Sequence, residues 1–362
     1  MKKLLFLTHI TKDSSNGVWK KVQAQANALH ELGYLVDLVY YDAGSLVIES
    51  HNKKIAYPLL HRYFLFYILS RKINCIYDVV YFRKPHGGLY PLFSFMPINK
   101  IRKANVLTKV FFEIPTYPYK NESEGFLGYI SYLSYKLSLC LFKKNISKIL
   151  YIGEGPEKIY GIKAQKMNNG VDESRVKFLG SHKRDVTRFT FAGIANLMYW
   201  HGYDRLINAI AESEYRDIIS FYIVGDTEPE YSRLKKLVHD KGVENQVHFL
   251  GRMEDDEINK LLEEVNVCVD ALGRHRSGNN NNSSIKSKEY AAMGIPFIKS
   301  HVDDAFDNEF FIYQVNADES NINISEIILW YKKLPTDFAR KERNFAIDNF
   351  SWTKILKNAL NS

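Results

Sequence analysis

Cysteine is nearly absent. Cys75, Cys140 and Cys268 are the only three in 362 residues and lie far apart, which excludes a disulfide framework and a paired-cysteine zinc site and suits a reducing cytoplasm. Long hydrophobic runs are missing as well. Uncharged stretches such as Pro85 to Asn99 are broken by Pro85, Pro91 and Pro97, whereas a spanning helix needs about 20 mostly apolar residues. No segment is therefore expected to cross a bilayer. The basic start MKKLLFLTHITKD stops being apolar at His9 and no small-residue cleavage site follows, so it reads as a first strand and not as a signal peptide.

Acidic residues are scarce in the first half. Residues 1–180 carry 26 Lys and Arg against 13 Asp and Glu, whereas the remainder carries 23 against 28. The same half holds 16 of the 24 tyrosines, in runs such as Tyr63 to Tyr67 and Tyr129 to Tyr135, near Arg62, Arg71, Lys72, Arg102, Lys103, Lys143 and Lys144. Basic residues interleaved with interfacial aromatics suit an anionic membrane surface; a tyrosine-filled core with lysines outside is the alternative. Nucleic acid is not expected, since no helix-turn-helix, RRM or zinc pattern accompanies the charge.

What is present is one grammar used twice, in a chain long enough for two domains. Residues 3–8 read as a buried strand, Asn16-Gly17 as a loop, Val18, Val22, Ala26 and Leu29 as one face of a helix, and Leu35 to Tyr41 as the next strand. A polar stretch from Ser181 to Arg188 reads as a linker. The pattern then restarts with a strand at Phe189 to Phe191, a turn at Ala192-Gly193, a helix from Tyr203 to Glu214 and a strand from Ile219 to Val224. Further strands are expected at Asp78 to Phe82, Lys109 to Glu113, Ile149 to Ile152, Gln246 to Leu250, Val265 to Val269 and Ile295 to Ile298. Helical periods separate them. Such alternation predicts α/β domains with doubly wound parallel sheets, whose ligands bind at the carboxyl ends of the strands. The expected division is an N-terminal domain over 1–183, a second domain over 184–345, and a C-terminal helix over 346–362 that can pack back on the first.

The segment Ser283 to Pro296, SSIKSKEYAAMGIP, suits a nucleotide diphosphate. The N–H groups of Ser284 and Ile285 would lack helical partners where the dipole favours negative charge, and Glu289, one turn on, could hold ribose hydroxyls. An ordinary capped helix is the alternative here.

Taken in order, several segments resemble glycosyltransferase family 4, the retaining, sugar-nucleotide-dependent enzymes of the GT-B fold. They are Asn16-Gly17-Val18 with Lys20-Lys21, Asn169-Gly170-Val171-Asp172, the run His201 to Ala209, Phe221 to Gly225, His248 to Arg252 and Lys288 to Pro296. The resemblance implies two Rossmann-like domains facing across a cleft, the first binding an acceptor and the second the donor. It also implies a hexosyltransferase-type reaction, without a metal, in which a sugar passes from a nucleoside diphosphate to a hydroxyl with retention, uridine being the favoured base. Donors and cations must then meet the charge developing on the leaving diphosphate. The implied groups are Ser283, Ser284, Ile285 and Lys286, with Gly17 approaching from the first domain. Glu289 is implied for the ribose, and Gly225 and Arg252 for the base pocket.

The chain also departs from the family. Where the family has a first glutamate, this sequence has Asn281, within the run Asn279 to Asn282, and an amide can only hydrogen-bond the donor sugar. Ala195-Asn196 and His201 stand where an arginine and a lysine are usual. Arg274, His275, Arg276, Lys286 and Lys288 are candidate replacements. In the first domain, Glu113 stands near the family's usual histidine and is a candidate for orienting an acceptor, with pairing to Arg83 as the alternative. Arg83 is also a candidate for an acceptor phosphate, and His9 for a ligand residue or a structural one. The composite expectation is a transferase acting on a saccharide or lipid-linked glycan in surface polysaccharide assembly, such as capsule or exopolysaccharide, in the cytoplasm or peripherally at the inner face of the membrane. A non-catalytic partner subunit and a GT-B sugar-nucleotide epimerase are the alternatives.

Overall fold

A computed structural model of the chain describes residues 1–361 apart from 15, 51–52, 74–75, 119–124, 181–186, 279 and 307. Most of the expected linker, Cys75 and Asn279 lie outside the described residues. The chain forms two units, Met1–Asn168 with Trp352–Ser362, and Asn169–Ser351.

Unit 1 runs β1 (Lys3–Thr11), α1 (Gly17–Glu31), β2 (Leu35–Asp42), β3 (Ser45–Ser50), β4 (Lys53–Pro58), α2 (Leu65–Lys72), β5 (Val79–Arg83), α3 (Phe95–Ala104), β6 (Lys109–Tyr117), α4 (Gly125–Phe142), β7 (Lys148–Gly153), β8 (Lys158–Ile159) and β9 (Ile162–Lys166). Among the described residues these strands make a nine-stranded sheet in the order β4-β3-β2-β1-β5-β6-β7-β9-β8. The centre, β2 to β9, is parallel, and an antiparallel hairpin, β3–β4, extends one edge. The turn from β2 into β3 is made by Ala43 and Gly44 at φ of 42° and 79°, the paired left-handed conformations that match strand twist.

Unit 2 runs β10 (Phe189–Ile194), α5 (Tyr203–Glu212), β11 (Ile219–Val224), α6 (Glu230–Lys241), β12 (Val247–Gly251), α7 (Asp255–Leu262), β13 (Val267–Val269), α8 (Ile285–Met293), β14 (Phe297–Lys299), β15 (Ile312–Gln314), α9 (Ile324–Lys333) and α10 (Phe338–Phe350). Its six described strands are all parallel, in the order β12-β11-β10-β13-β14-β15. The strand order reverses between β10 and β13, so the crevice for a ligand opens at their carboxyl ends.

Three expectations shift. The expected turn at Ala192-Gly193 is part of β10, and the chain leaves the strand only at Ala195. Gly193 is there for space, because a Cβ on it would meet the Tyr203 ring at 2.6 Å. Unit 2 begins before the expected 183/184 break, because Val171, Val176 and Leu179 pack with Tyr290, Ala291 and Phe350. The single expected helix over 346–362 is two helices. α10 ends at Phe350, Ser351 turns out of helical geometry at ψ 135°, and α11 (Trp352–Asn361) buries Trp352, Ile355, Leu356 and Leu360 with Trp19, Val22 and Leu29 of α1 in unit 1. Among the described residues no helix is long and apolar enough to cross a membrane.

Candidate functional site

In unit 2 the strand ends are drawn together by glycine. Gly225, just past β11, has φ 131°, and a Cβ there would lie 2.0 Å from the Ala195 carbonyl oxygen, so only glycine fits. Its N–H donates to Gly251 O at 2.7 Å, and Ala195 N–H donates to Val224 O at 3.0 Å. Arg252 follows Gly251 with an exposed side chain, its Nε 2.7 Å from Asp226.

The start of α8 lies after β13. Ser284 is its N-cap, and its hydroxyl accepts from Ser287 N–H; by helix geometry the N–H groups of Ile285 and Lys286 have no acceptor within the helix. Asn169 fixes the approach: its N–H donates to Ser283 Oγ at 3.2 Å and its side-chain amide to Ser283 O at 2.7 Å. The Asn169-Gly170 motif thus clamps the loop entering α8. At the far end Gly294, at φ 78°, terminates the helix, as a left-handed C-cap does.

Asp270, one residue past β13, organises the charge. Lys286 Nζ lies 3.0 Å from its Oδ1 and Ser287 Oγ donates to its Oδ2 at 2.5 Å. Burial alone would raise the Asp270 carboxyl, but Lys286, His301, Ser284 and Ser287 outweigh it and hold it well below the usual carboxylate range. His301 is fully buried 3.9 Å from the same carboxylate, and burial pushes it down to about 4, so its ring is neutral at pH 7. Both of its ring nitrogens lack a hydrogen-bond partner among the described residues, as does the buried Nε of Arg274. His201 is also held neutral, by burial and by the nearby Lys286 and Arg274, with Nδ1 accepting from Met198 N–H at 3.0 Å. Asn281 bridges to Val302, beside His301. Glu289 is half-buried one turn beyond Ile285. A lysine, an arginine, a helix start and neutral imidazoles are a donor set for a diphosphate.

Unit 1 places a second charged cluster beside the end of β5, around Glu113 in the middle of β6, which runs on past the strand end expected at Glu113. Glu113 is wholly buried, with Oε1 2.7 Å from Arg83 and 3.1 Å from Lys21, and Oε2 accepting from Tyr81 Oη at 2.8 Å and Gln25 Nε2 at 3.1 Å. Burial would raise this carboxyl, but Lys21, Arg83 and Tyr81 bring it down to about 2, while burial lowers Lys21 to about 8. His9, at the end of β1, is buried edge-on to His86 at 4.8 Å and kept neutral by burial, His86 and Arg83. Gly17 opens α1 after the N-cap Asn16, and a side chain added to it would meet nothing within 4 Å.

Residues 186–319 match the model of the family described as glycosyl transferases group 1. The matched segment lies within unit 2. No curated protein matches the chain in sequence. Among solved structures it resembles sucrose-phosphate synthase from Thermosynechococcus elongatus, with TM-score 0.65, 14% identity, and 99% of this chain and 98% of that one covered. It also resembles Anabaena HepE in complex with UDP, with TM-score 0.63, 14% identity and coverage of 99% and 98%. WaaG, a glycosyltransferase involved in lipopolysaccharide biosynthesis, matches with TM-score 0.61, 14% identity and coverage of 99% and 100%. The fold of two parallel-sheet domains is GT-B.

Within unit 2, Asn281, Ser283, Ser284, Ile285, Lys286 and Glu289 all lie on α8 or its entry, while Gly225 and Arg252 lie at the ends of β11 and β12. The Ser284 hydroxyl caps the helix and hydrogen-bonds Asp270, so its backbone and not its hydroxyl is the group left to face an anion. Three candidate cations are engaged elsewhere. Arg276 binds Asp204 at 2.8 and 2.9 Å and Glu319 at 2.8 and 2.7 Å, His275 meets Glu319 at 2.6 Å, and Lys288 is fully buried against Asp303 at 2.7 Å. Arg274 and Lys286 remain at the strand ends. Arg83 and Glu113 satisfy each other below the surface, so the geometry takes up their pairing. Sequence reasoning missed Asp270, His301, Gln25 and Tyr81. Lys21 and Gln25 carried a signal, being polar residues four apart on a helix that is otherwise apolar inward.

Proposed function

We propose that the chain transfers a sugar from a UDP-sugar to a hydroxyl of a saccharide or lipid-linked glycan, with retention and without a metal, in surface polysaccharide assembly. The observation that carries the donor side is the start of α8. There, unpaired helical N–H groups, Lys286 and Arg274 converge at the switch point of a glycosyltransferase sheet. Phosphate binding needs positive charge and donors in place before the leaving group develops its charge, and this corner supplies them from positions other than the family's usual two cations. Uridine is favoured because HepE is a UDP complex on the same fold. WaaG's lipopolysaccharide role supports a surface glycan, and the basic excess of residues 1–180 supports an acceptor presented at the inner face of an anionic membrane. Asn281 would hydrogen-bond the donor sugar, and Glu289 the ribose.

The test is a thermal-shift screen of UDP, GDP, ADP and their sugars, followed by turnover with the best donor and lipid-linked acceptors, with NMR of the new anomeric centre. A raised melting temperature with UDP and a product keeping the donor's configuration are expected. No stabilisation by any nucleotide, or an inverted product, overturns the donor or the retention assignment respectively. Donor converted without any acceptor would establish the epimerase reading.

A further inference from the structure

The outward face of α4 is built the wrong way round for a helix in water. Its exposed positions, among the described residues, are Tyr129, Leu133, Lys136, Leu137, Cys140 and Leu141, with Tyr129 and the three leucines 46–59% exposed and spaced four residues apart, which makes one continuous stripe. Its inward face buries Tyr135, Leu139 and Phe142 together with two serines: Ser134 Oγ donates back to Ile130 O at 2.8 Å and Ser138 meets Ser94 at 2.8 Å. A surface helix with one face in the core normally keeps the opposite face polar. The one charge on the outward face is Lys136.

The surroundings are basic. α2, α3 and α4 each precede a parallel strand, β5, β6 and β7, so all three end at the same edge of the sheet. They end in Arg71-Lys72, Arg102-Lys103 and, just after α4, Lys143-Lys144. Exposed Val106 and Leu107 follow α3 at that edge, and Ile76 precedes β5. Between Glu49 and Glu113 the sole carboxylate is Asp78, and there is none from Gly125 to Gly153.

We propose that the stripe Tyr129, Leu133, Leu137 and Leu141, with the basic ends of α2, α3 and α4, docks unit 1 on an anionic lipid surface, α4 lying along the interface. Apolar side chains enter the acyl boundary while lysines and arginines meet the headgroups. A second copy of this chain is disfavoured as occupant, because it would set the same uncompensated cations against one another. The inference deepens the membrane side of the proposed function and is independent of the donor, so vesicle binding and UDP binding can fail separately.

The experiment floats the full chain with vesicles of phosphatidylcholine alone or with about a third phosphatidylglycerol. Binding to the anionic vesicles, weakened by salt, is expected. The variant carrying Leu133→Gln, Leu137→Gln and Leu141→Gln should bind them about tenfold or more weakly, with unchanged thermal stability and unchanged stabilisation by UDP. An environment-sensitive dye on Cys140, in a Cys75→Ser background, should shift to the blue on anionic vesicles. Absence of vesicle binding, wild-type binding by the triple variant, or an unresponsive dye on bound protein each overturns the proposal. So does a lipid-free dimer that the triple variant turns into a monomer, which would make the face a self-association surface.

Discussion

Lys286 and Asp270 stand 3.0 Å apart at the carboxyl edge of the unit 2 sheet, the lysine partly open to solvent and the aspartate almost wholly buried. The pair holds a cation in place at the start of α8, so a bound diphosphate would meet it without first ordering a free side chain. Lys286→Met should weaken UDP binding by about 1.5–3 kcal/mol, the range for a hydrogen bond to a charged group. Calorimetric titration of UDP against uridine checks this: uridine, which lacks the phosphates, should bind both forms alike. Equal UDP affinity in the variant would remove Lys286 from the site.

Glu289 makes a different prediction, because it is assigned to the ribose and not to the phosphates. Glu289→Ala should lower UDP affinity by about 1.5–3 kcal/mol per hydrogen bond lost. The wild type should discriminate against 2′,3′-dideoxy-UDP, and the variant should bind it and UDP about equally. Discrimination that persists in the variant would place the ribose elsewhere.

Gly225 ties the ends of β10, β11 and β12 together. Gly225→Ala places a methyl 2.0 Å from the Ala195 carbonyl oxygen at φ 131°, a strain of about 1–3 kcal/mol before any loss of packing. Unit 2 should melt earlier and bind UDP more weakly. By contrast Gly17→Ala, whose Cβ meets nothing within 4 Å of the described residues, should leave unit 1 as stable as before. Hydrogen exchange of the β10 and β11 amides separates the two effects.

The repeating strands were legible because each is a short apolar run closed by polar or glycine residues, and the α8 segment because its cap, Ser284, and its stop, Gly294, are both written in the chain. The turn from β2 into β3 was legible in principle from Ala43-Gly44. The end of the chain was not: nothing local tells α10 from α11 except Ser351, and which unit each joins is a matter of distant partners such as Trp19. The candidate site divided in the same way. Residues on one helix could be read together, whereas Asp270 and His301 reach that helix from the ends of β13 and β14, and Arg276 is withdrawn by Asp204 and Glu319 across the fold. Ion pairing between elements leaves no periodic trace, so a basic loop read as spare charge where most of it is already paired.

Glu113 gives unit 1 a pH dependence whose sign follows from its partners. Its carboxyl is held at about 2 in the folded chain against an ordinary 4.5, so between those values the unfolded chain binds more protons than the folded one. The stabilisation is complete above about pH 4.5 and is lost as pH falls through that window towards about 2, amounting to about 3 kcal/mol. Glu113→Gln leaves Lys21 and Arg83 buried beside an uncharged amide. It should cost about 3–5 kcal/mol at pH 7, the usual penalty for breaking a buried pair, and should flatten the acid limb. Hydrogen exchange of the β5 and β6 amides as pH is lowered reports unit 1 alone. A variant with wild-type protection at pH 7, or with the same acid limb, would show that the Arg83, Lys21 and Tyr81 contacts do not hold this sheet together.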